Sequence, residues 1–285
     1  MKNNAVLLMH CPDHKGIVNQ VTAFLLNNNG NVVDIDQHVD QEQSHFYMRV
    51  EWELDGFNIP KDKIAEYFDT LVGVKHHLVS ELHFIQTKPK IAIYVSKASH
   101  CLSDLLARYQ SGEWQVDIAM VISNHTKLKS ITEKYDIPYH HLPITPDNKA
   151  DQEGIQTQLI HSHGVNLIVL ARYMQILSDG FVKEFQNKII NIHHSSLPAF
   201  IGANPYKAAY QRGVKFMGAT GHYVTADLDE GPIIAQDIIP ISHRDSIADL
   251  KRKGRDIEKI VLAKAVWSHI NHKIIVHQNK TVVFE

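Results

Sequence analysis

NIHHSSLPAFIGANPYKAAYQRGVKFMGATGHYVTADLDEG, residues 191–231, places many polar side chains in two strand-like frames separated by one helix. It follows the apolar pair Ile189-Ile190, so Asn191 and His193 alternate out of a strand end toward one side. Asn204-Pro205 has the form of a helix start, Asn as cap and Pro at the first helical position, and Gly213 closes that short helix. Phe216 to Thr225 returns to a strand pattern, and Ala226-Asp227-Leu228-Asp229-Glu230-Gly231-Pro232 is a turn by composition. If the two strands are neighbours, the turn presents Asp229 beside Asn191 and His193. A carboxamide, an imidazole and a carboxylate on adjacent strand ends are what acyl transfer or hydrolysis requires: one group polarises the carbonyl, one stabilises the oxyanion or protonates the leaving nitrogen, and one takes a proton from the nucleophile. The same residues also admit a structural reading, in which Asn191 and His193 satisfy backbone groups and Asp229 caps its turn. The pattern leaves both open.

Working outward, strand patterns at 91–95, 116–122, 138–142 and 166–170 alternate with helical patterns near 100–110, 125–135 and 148–164. This predicts a mostly parallel, doubly wound sheet with helices on both faces, with ligands beyond the carboxyl ends of the strands. Tyr94-Val95, Leu170-Ala171 and Ile192-His193 end there. The run Leu170-Ala171-Arg172-Tyr173-Met174-Gln175-Ile176-Leu177 suits a slot for a flat heteroaromatic ring, or equally a loop packed under a helix. An amphipathic helix over Ile247 to Ile270 and a hairpin over Lys273 to Phe284 complete this part.

Upstream, a strand at 5–11, a helix from Ile17, strands at Val32–His38 and His45–Leu54, a helix after Pro60 and a strand at Leu78–Ile85 give the order βαββαβ of ferredoxin-like domains. The polar segment 86–90, Gln-Thr-Lys-Pro-Lys, reads as a linker. The expected organisation is therefore a domain at 5–85, a linker at 86–90 and a domain at 91–285.

The formal charge of −2 leaves no electrostatic footprint for nucleic acid. Cys11 and Cys101 have no pairing pattern, which points to a reducing, cytoplasmic setting. The first residues, interrupted by His10, Cys11 and Pro12, are too short an apolar run for a leader or a membrane span. Twenty histidines occur without metal-ligand spacing such as HExxH, so no metal is expected.

The pattern Asn191-Ile-His193, Ser195-Ser-Leu-Pro198 and His222-Tyr-Val-Thr-Ala-Asp-Leu-Asp229-Glu-Gly-Pro232 resembles the signature of the formyltransferase-fold enzymes that use 10-formyltetrahydrofolate. The resemblance implies that Asn191, His193 and Asp229 are the catalytic trio. It also implies a pterin pocket built from Leu170, Arg172, Tyr173, Met174 and Leu177 with Ala226, Asp227 and Leu228. His222 is expected to support Asp229 or merely to fill space. Two positions depart from the pattern: His194 stands where many relatives have Pro, and Gly221 where Ser, Val or Ala is common. A nucleophilic role for Cys101 is the remoter alternative to a buried structural thiol.

Residues 11–18, Cys-Pro-Asp-His-Lys-Gly-Ile-Val, are similar to the strand-to-helix turn of ACT domains. That implies a regulatory amino-acid site at Asp13, Lys15, Gly16 and Ile17, where Gly16 permits close backbone approach and a helix N-terminus offers N–H groups to a carboxylate; an ordinary tight turn in a pairing module is the other reading. ACT domains associate through their sheets, so a homo-oligomer is expected. After its first strand the second domain has Ser96-Lys97-Ala98-Ser99-His100-Cys101 where glycinamide ribonucleotide formyltransferases carry Gly-Asn-Gly-Ser-Asn for the acceptor phosphate. Without glycine there, water is the expected nucleophile. An ACT domain joined to a formyltransferase-type domain resembles the formyltetrahydrofolate deformylase family, cofactor-free hydrolases of a linear amide C–N bond. The resemblance implies release of formate and tetrahydrofolate, with formate feeding purine synthesis and methionine and glycine as effectors. The alternatives are a formyltransferase to an amine and a non-catalytic amino-acid sensor.

Overall fold

Alternating side chains build the first sheet. In Asn4–Pro12 (β1) the odd positions Leu7, Met9 and Cys11 are buried, and in His45–Glu53 (β3) the even positions Phe46, Met48, Val50 and Trp52 join them. With Asn31–Asp40 (β2) and Val79–Phe84 (β4) these strands form an antiparallel sheet in the order β2-β3-β1-β4. The core closes against Ile17–Asn27 (α1), through Ile17, Val21, Phe24 and Leu25, and against Ile64–Phe68 (α2), which a π-helical turn at Asp69–Gly73 continues into Val74–His76 (α3). Gly16 caps α1 with φ +98°, a left-handed conformation that glycine adopts at no steric cost.

The coordinates are a computed structural model and describe residues 3–198 and 205–285. By contacts the chain falls into two units, Met1–Lys88 with Asn271–Glu285, and Pro89–Ile270.

In the second unit, Lys90–Val95 (β5), Asp117–Ser123 (β6), Tyr139–His141 (β7), Leu167–Leu170 (β8) and Ile189–His193 (β9) are mutually parallel. Phe216–Tyr223 (β10) and Ile233–Pro240 (β11) extend the sheet antiparallel to their neighbours. The order is β11-β10-β9-β8-β5-β6-β7. The central parallel strands β5, β6 and β8 are largely apolar on both faces, as a sheet covered on both sides requires. Ala92, Tyr94, Met120, Ile122, Ile168 and Leu170 pack with Ile160 of Lys149–His163 (α6) and with Phe181 and Val182 of Asp179–Glu184 (α7). Ile91, Ile93, Val95 and Val169 point the other way and are equally buried. That side holds His100–Gln110 (α4), which packs against Ile247–Ile270 (α9); α9 in turn lies along β9, β10 and β11. The unit is completed by Lys129–Thr132 (α5) and Pro205–Arg212 (α8). The cap expected at Asn204 lies outside the described residues.

Gly221 is explained by this packing. A Cβ there would come within 2.8 Å of the Ala265 Cβ on α9, so the helix lies too close to the strand for any side chain. Sequence patterns gave no element to α7 or β11. Ser178 caps α7, its hydroxyl accepting from the Phe181 N–H, and β11 pairs with β10 through a register shift beside Gly221/His222.

One boundary differs from expectation. The hairpin Ile274–His277 (β12) and Lys280–Val283 (β13) belongs to the first unit and not with 91–270. Ile275, Phe284 and Val282 pack on Leu8 and Tyr47, covering the sheet face that α1 and α2 leave bare. A sheet with one helical layer still has an apolar face to bury, and the hairpin buries it. Among the described residues no helix is long and apolar enough to cross a membrane.

Candidate active site

The site is set by the register of β9 against β10. His222 lies opposite Asn191 and Thr220 opposite His193, so all four side chains share one face. Thr220 anchors the segment after His193: its buried hydroxyl donates to the Ser195 carbonyl at 2.8 Å and accepts from the Leu197 N–H at 3.0 Å and from Gln236 at 3.0 Å. The Leu197-Pro198 peptide bond is cis. The Ser195–Pro198 motif is thereby fixed by a residue that only the antiparallel pairing reveals.

Past β10 the chain turns, and Asp229 sits in the left-handed region at φ +58°. Its Oδ2 lies 3.1 Å from His193 Nδ1 and its Oδ1 3.7 Å from His222 Nε2. His222 Nδ1 is 2.9 Å from the Tyr223 carbonyl, which can only accept, so this nitrogen carries the proton. The other nitrogen of a neutral ring then accepts from Asn191 Nδ2 at 3.2 Å. His222 therefore holds Asn191 more closely than it holds Asp229. One Asn191 N–H is spent on His222, and among the described residues the second has no acceptor. His193 is 5% exposed, and among the described residues its Nε2 has no hydrogen-bond partner. Burial alone would raise the Asp229 carboxyl; hydrogen bonding, foremost from His193, more than offsets it and holds the group well below the usual carboxylate range.

A second group of charged residues lies alongside. Glu258 of α9 is 1% exposed and takes contacts from His100 at 2.6 Å, Arg172 at 3.4 Å and the Tyr206 hydroxyl. Burial would raise its carboxyl, but these partners together lower it, and the same burial next to Glu258 pushes the Tyr206 hydroxyl well up. Gly254 allows this arrangement, since a Cβ there would meet the Tyr206 ring. His194 lies between the two groups, its ring 5.2 Å from His193 and 5.8 Å from Tyr206. Burial, then Arg172 and His193, bring its pKa down to about 4, so it is neutral near pH 7. The sequence reading missed Glu258, although a carboxylate on the stripe Leu250, Gly254, Ile257, Val261, Leu262 of an amphipathic helix is a signal for it.

Beyond the carboxyl ends of β5, β6 and β8 is a cavity of about 320 Å³ lined by Ser96, Lys97, Asn124, His125, Arg172 and Met174 among others. Of the residues expected around a pterin, Arg172 (φ +65°) and Met174 reach this cavity, and Met174 and Leu228 are each 58% exposed. Ala226 and Asp227 are exposed on the turn. Leu170, Tyr173 and Leu177 instead belong to the core cluster, Tyr173 packing edge-on to Tyr94 at 5.3 Å. Cys101 is fully buried, and burial followed by Glu258 raises its thiol well above the usual range, which makes it a poor nucleophile. In the first unit, Asp13, Lys15 and Gly16 are exposed at the start of α1, whereas Ile17 points into the core.

The formyl transferase domain family matches residues 89–266 and the ACT domain family matches residues 5–59. A formyltetrahydrofolate deformylase of Synechocystis is 49% identical over 98% of this chain and 98% of its own length. That of Bacillus subtilis is 47% identical over 98% of this chain and 93% of its own. The crystal structure of a formyltetrahydrofolate deformylase from Pseudomonas syringae superimposes with a TM-score of 0.97 at 43% identity, over 100% of this chain and 95% of that one. Relatives of one activity that match both units from end to end leave a single assignment: the chain belongs to the formyltetrahydrofolate deformylase family.

Proposed function

We propose that the chain hydrolyses 10-formyltetrahydrofolate to formate and tetrahydrofolate, with water as nucleophile and with Asn191, His193 and Asp229 as the catalytic residues. The observation that carries this reading is the His193–Asp229 contact of 3.1 Å with His193 Nε2 buried and, among the described residues, unpaired. A buried nitrogen without a partner is costly unless a substrate supplies one.

The steps follow from the contacts. The second N–H of Asn191 donates to the formyl oxygen and stabilises the charge that develops on it. Asp229, ionised near neutral pH, takes a proton from the attacking water. His193 gives its Nε2 proton to N10 as the C–N bond breaks, with Asp229, now protonated, keeping its contact at Nδ1; the proton that Asp229 took then returns to His193 through water, which restores both groups. One proton leaves with formate. His222 positions Asn191, and no cofactor takes part in these steps. The test is incubation with 10-formyltetrahydrofolate and no acceptor. Formate and tetrahydrofolate should form in equal amounts; formyl release that requires an added amine would overturn the assignment.

The first unit is read as regulatory. Asp13, Lys15 and Gly16 are accessible at the N-terminus of α1, which suits the carboxylate of an effector such as methionine or glycine. Equilibrium dialysis with each amino acid checks this, and Lys15→Ala should weaken binding. Assembly as a homo-oligomer is supported by the edge strand β2, where Val32, Val33 and Ile35 are 38–43% exposed.

A further inference from the structure

The hairpin β12–β13 brings His277 onto the face of the first sheet that carries His10 and His45. His10 Nδ1 and His45 Nε2 are 3.0 Å apart, and the His45 and His277 rings lie 4.1 Å apart. One ring nitrogen from each of the three residues falls within 4.8 Å of the others. The Tyr47 hydroxyl, 2.7 Å from His277 Nδ1, holds the third ring in place, as outer contacts of ligating imidazoles commonly do. All three are half-buried.

Imidazoles packed this way cannot all be protonated. Neutral rings each carry a lone pair, which is the form that binds a metal. Tetrahedral zinc, at about 2.0–2.1 Å from its nitrogens, sets those nitrogens about 3.3 Å apart. The His10–His45 pair at 3.0 Å is close to that spacing, and the His277 nitrogen lies within 4.8 Å of both. An all-nitrogen donor set suits zinc, nickel or copper and not magnesium or calcium, which take oxygen ligands.

We propose that His10, His45 and His277 bind one transition-metal dication of the zinc class, with a fourth position open to water, and that the metal fastens the C-terminal hairpin to the β1–β3 face. The three ligands come from three strands, so the site exists only when the hairpin is docked. Binding is therefore coupled to the stability of the first unit.

The test uses the full chain stripped with a chelator and dialysed into metal-free buffer. Cobalt(II) should bind at one per chain with visible ligand-field absorption, and zinc should displace it. Zinc should also raise the melting temperature. His45→Ala and His277→Ala should each lower the affinity at least about tenfold and abolish the zinc-induced rise. His83→Ala, which removes an imidazole stacked on His272 at 3.9 Å elsewhere in the unit, should leave both intact. If His277→Ala loses its native circular dichroism, His277→Gln takes its place. Binding that is unchanged in the His45 and His277 variants, or a wild-type chain that neither binds cobalt nor shifts with zinc at micromolar metal, overturns the proposal.

Discussion

Asp229→Asn is the cleanest perturbation of the catalytic reading. Position 229 has φ +58°, a conformation that Asn tolerates and Ala does not, so the amide variant removes the charge without straining the turn. The carboxylate sits 3.1 Å from His193 Nδ1. Opposite unit charges at that distance interact by about 5 kcal/mol at an effective dielectric of about 20, equivalent to about 10⁴ in rate at about 1.36 kcal/mol per decade. This is an upper limit, because the amide oxygen still accepts the Nδ1–H. Removing a general base costs about 10²–10⁴ by itself, and the two losses concern the same group, so they do not add. The expected fall in kcat is about 10³–10⁴, with tetrahydrofolate binding retained. The assay is formate release from 10-formyltetrahydrofolate, coupled to formate dehydrogenase, alongside calorimetric binding of tetrahydrofolate. A folded variant that binds the folate and keeps kcat within about tenfold of wild type would refute the role given to Asp229.

Asn191→Ala should lower kcat by about 10²–10³, the usual loss for one oxyanion donor, in the same formate assay. Asp229 should show no carboxyl titration between pH 4 and 8 by ¹³C NMR, since its folded pKa is depressed. By linkage the stability it contributes is present above the unfolded carboxylate value of about 3.9 and is lost only as the pH falls below that toward the folded value. Glu258→Ala removes a carboxylate that is 1% exposed and leaves Arg172 and His100 unpaired. The expected cost is about 3–5 kcal/mol, a drop in melting temperature of about 10 °C by calorimetry.

Much of this was legible in the sequence because it depends on local periodicity. Strand β3 of the first sheet alternates cleanly, as in Phe46, Met48, Val50 and Trp52, and β5 is an apolar run closed by helices of ordinary length. The catalytic candidates were found because Asn191 and His193 are two residues apart on one strand, and Asp229 lies in a turn rich in Gly and Pro. What escaped were the partnerships. Nothing near residue 258 says that its carboxylate will meet His100, Arg172 and Tyr206, and Thr220 gains meaning only from the register with His193. Tyr173 reads as part of a ring-binding slot because the segment is aromatic and follows a strand; in the fold it turns inward onto Tyr94. The hairpin reads correctly as a hairpin, but its destination depends on an apolar face more than 200 residues upstream, and no local pattern reports that.

That destination makes the architecture a nested one. Because the unit at Pro89–Ile270 is inserted between two stretches of the other, two covalent connections cross between them. A protease that nicks the polar segment at 86–90 would therefore not liberate either half; a second scission, near residue 271, is also needed. A fragment ending at Lys88 would present Leu8 and Tyr47 to solvent and be prone to aggregate. Anyone wishing to study the first unit in isolation should splice the last fifteen residues back onto it.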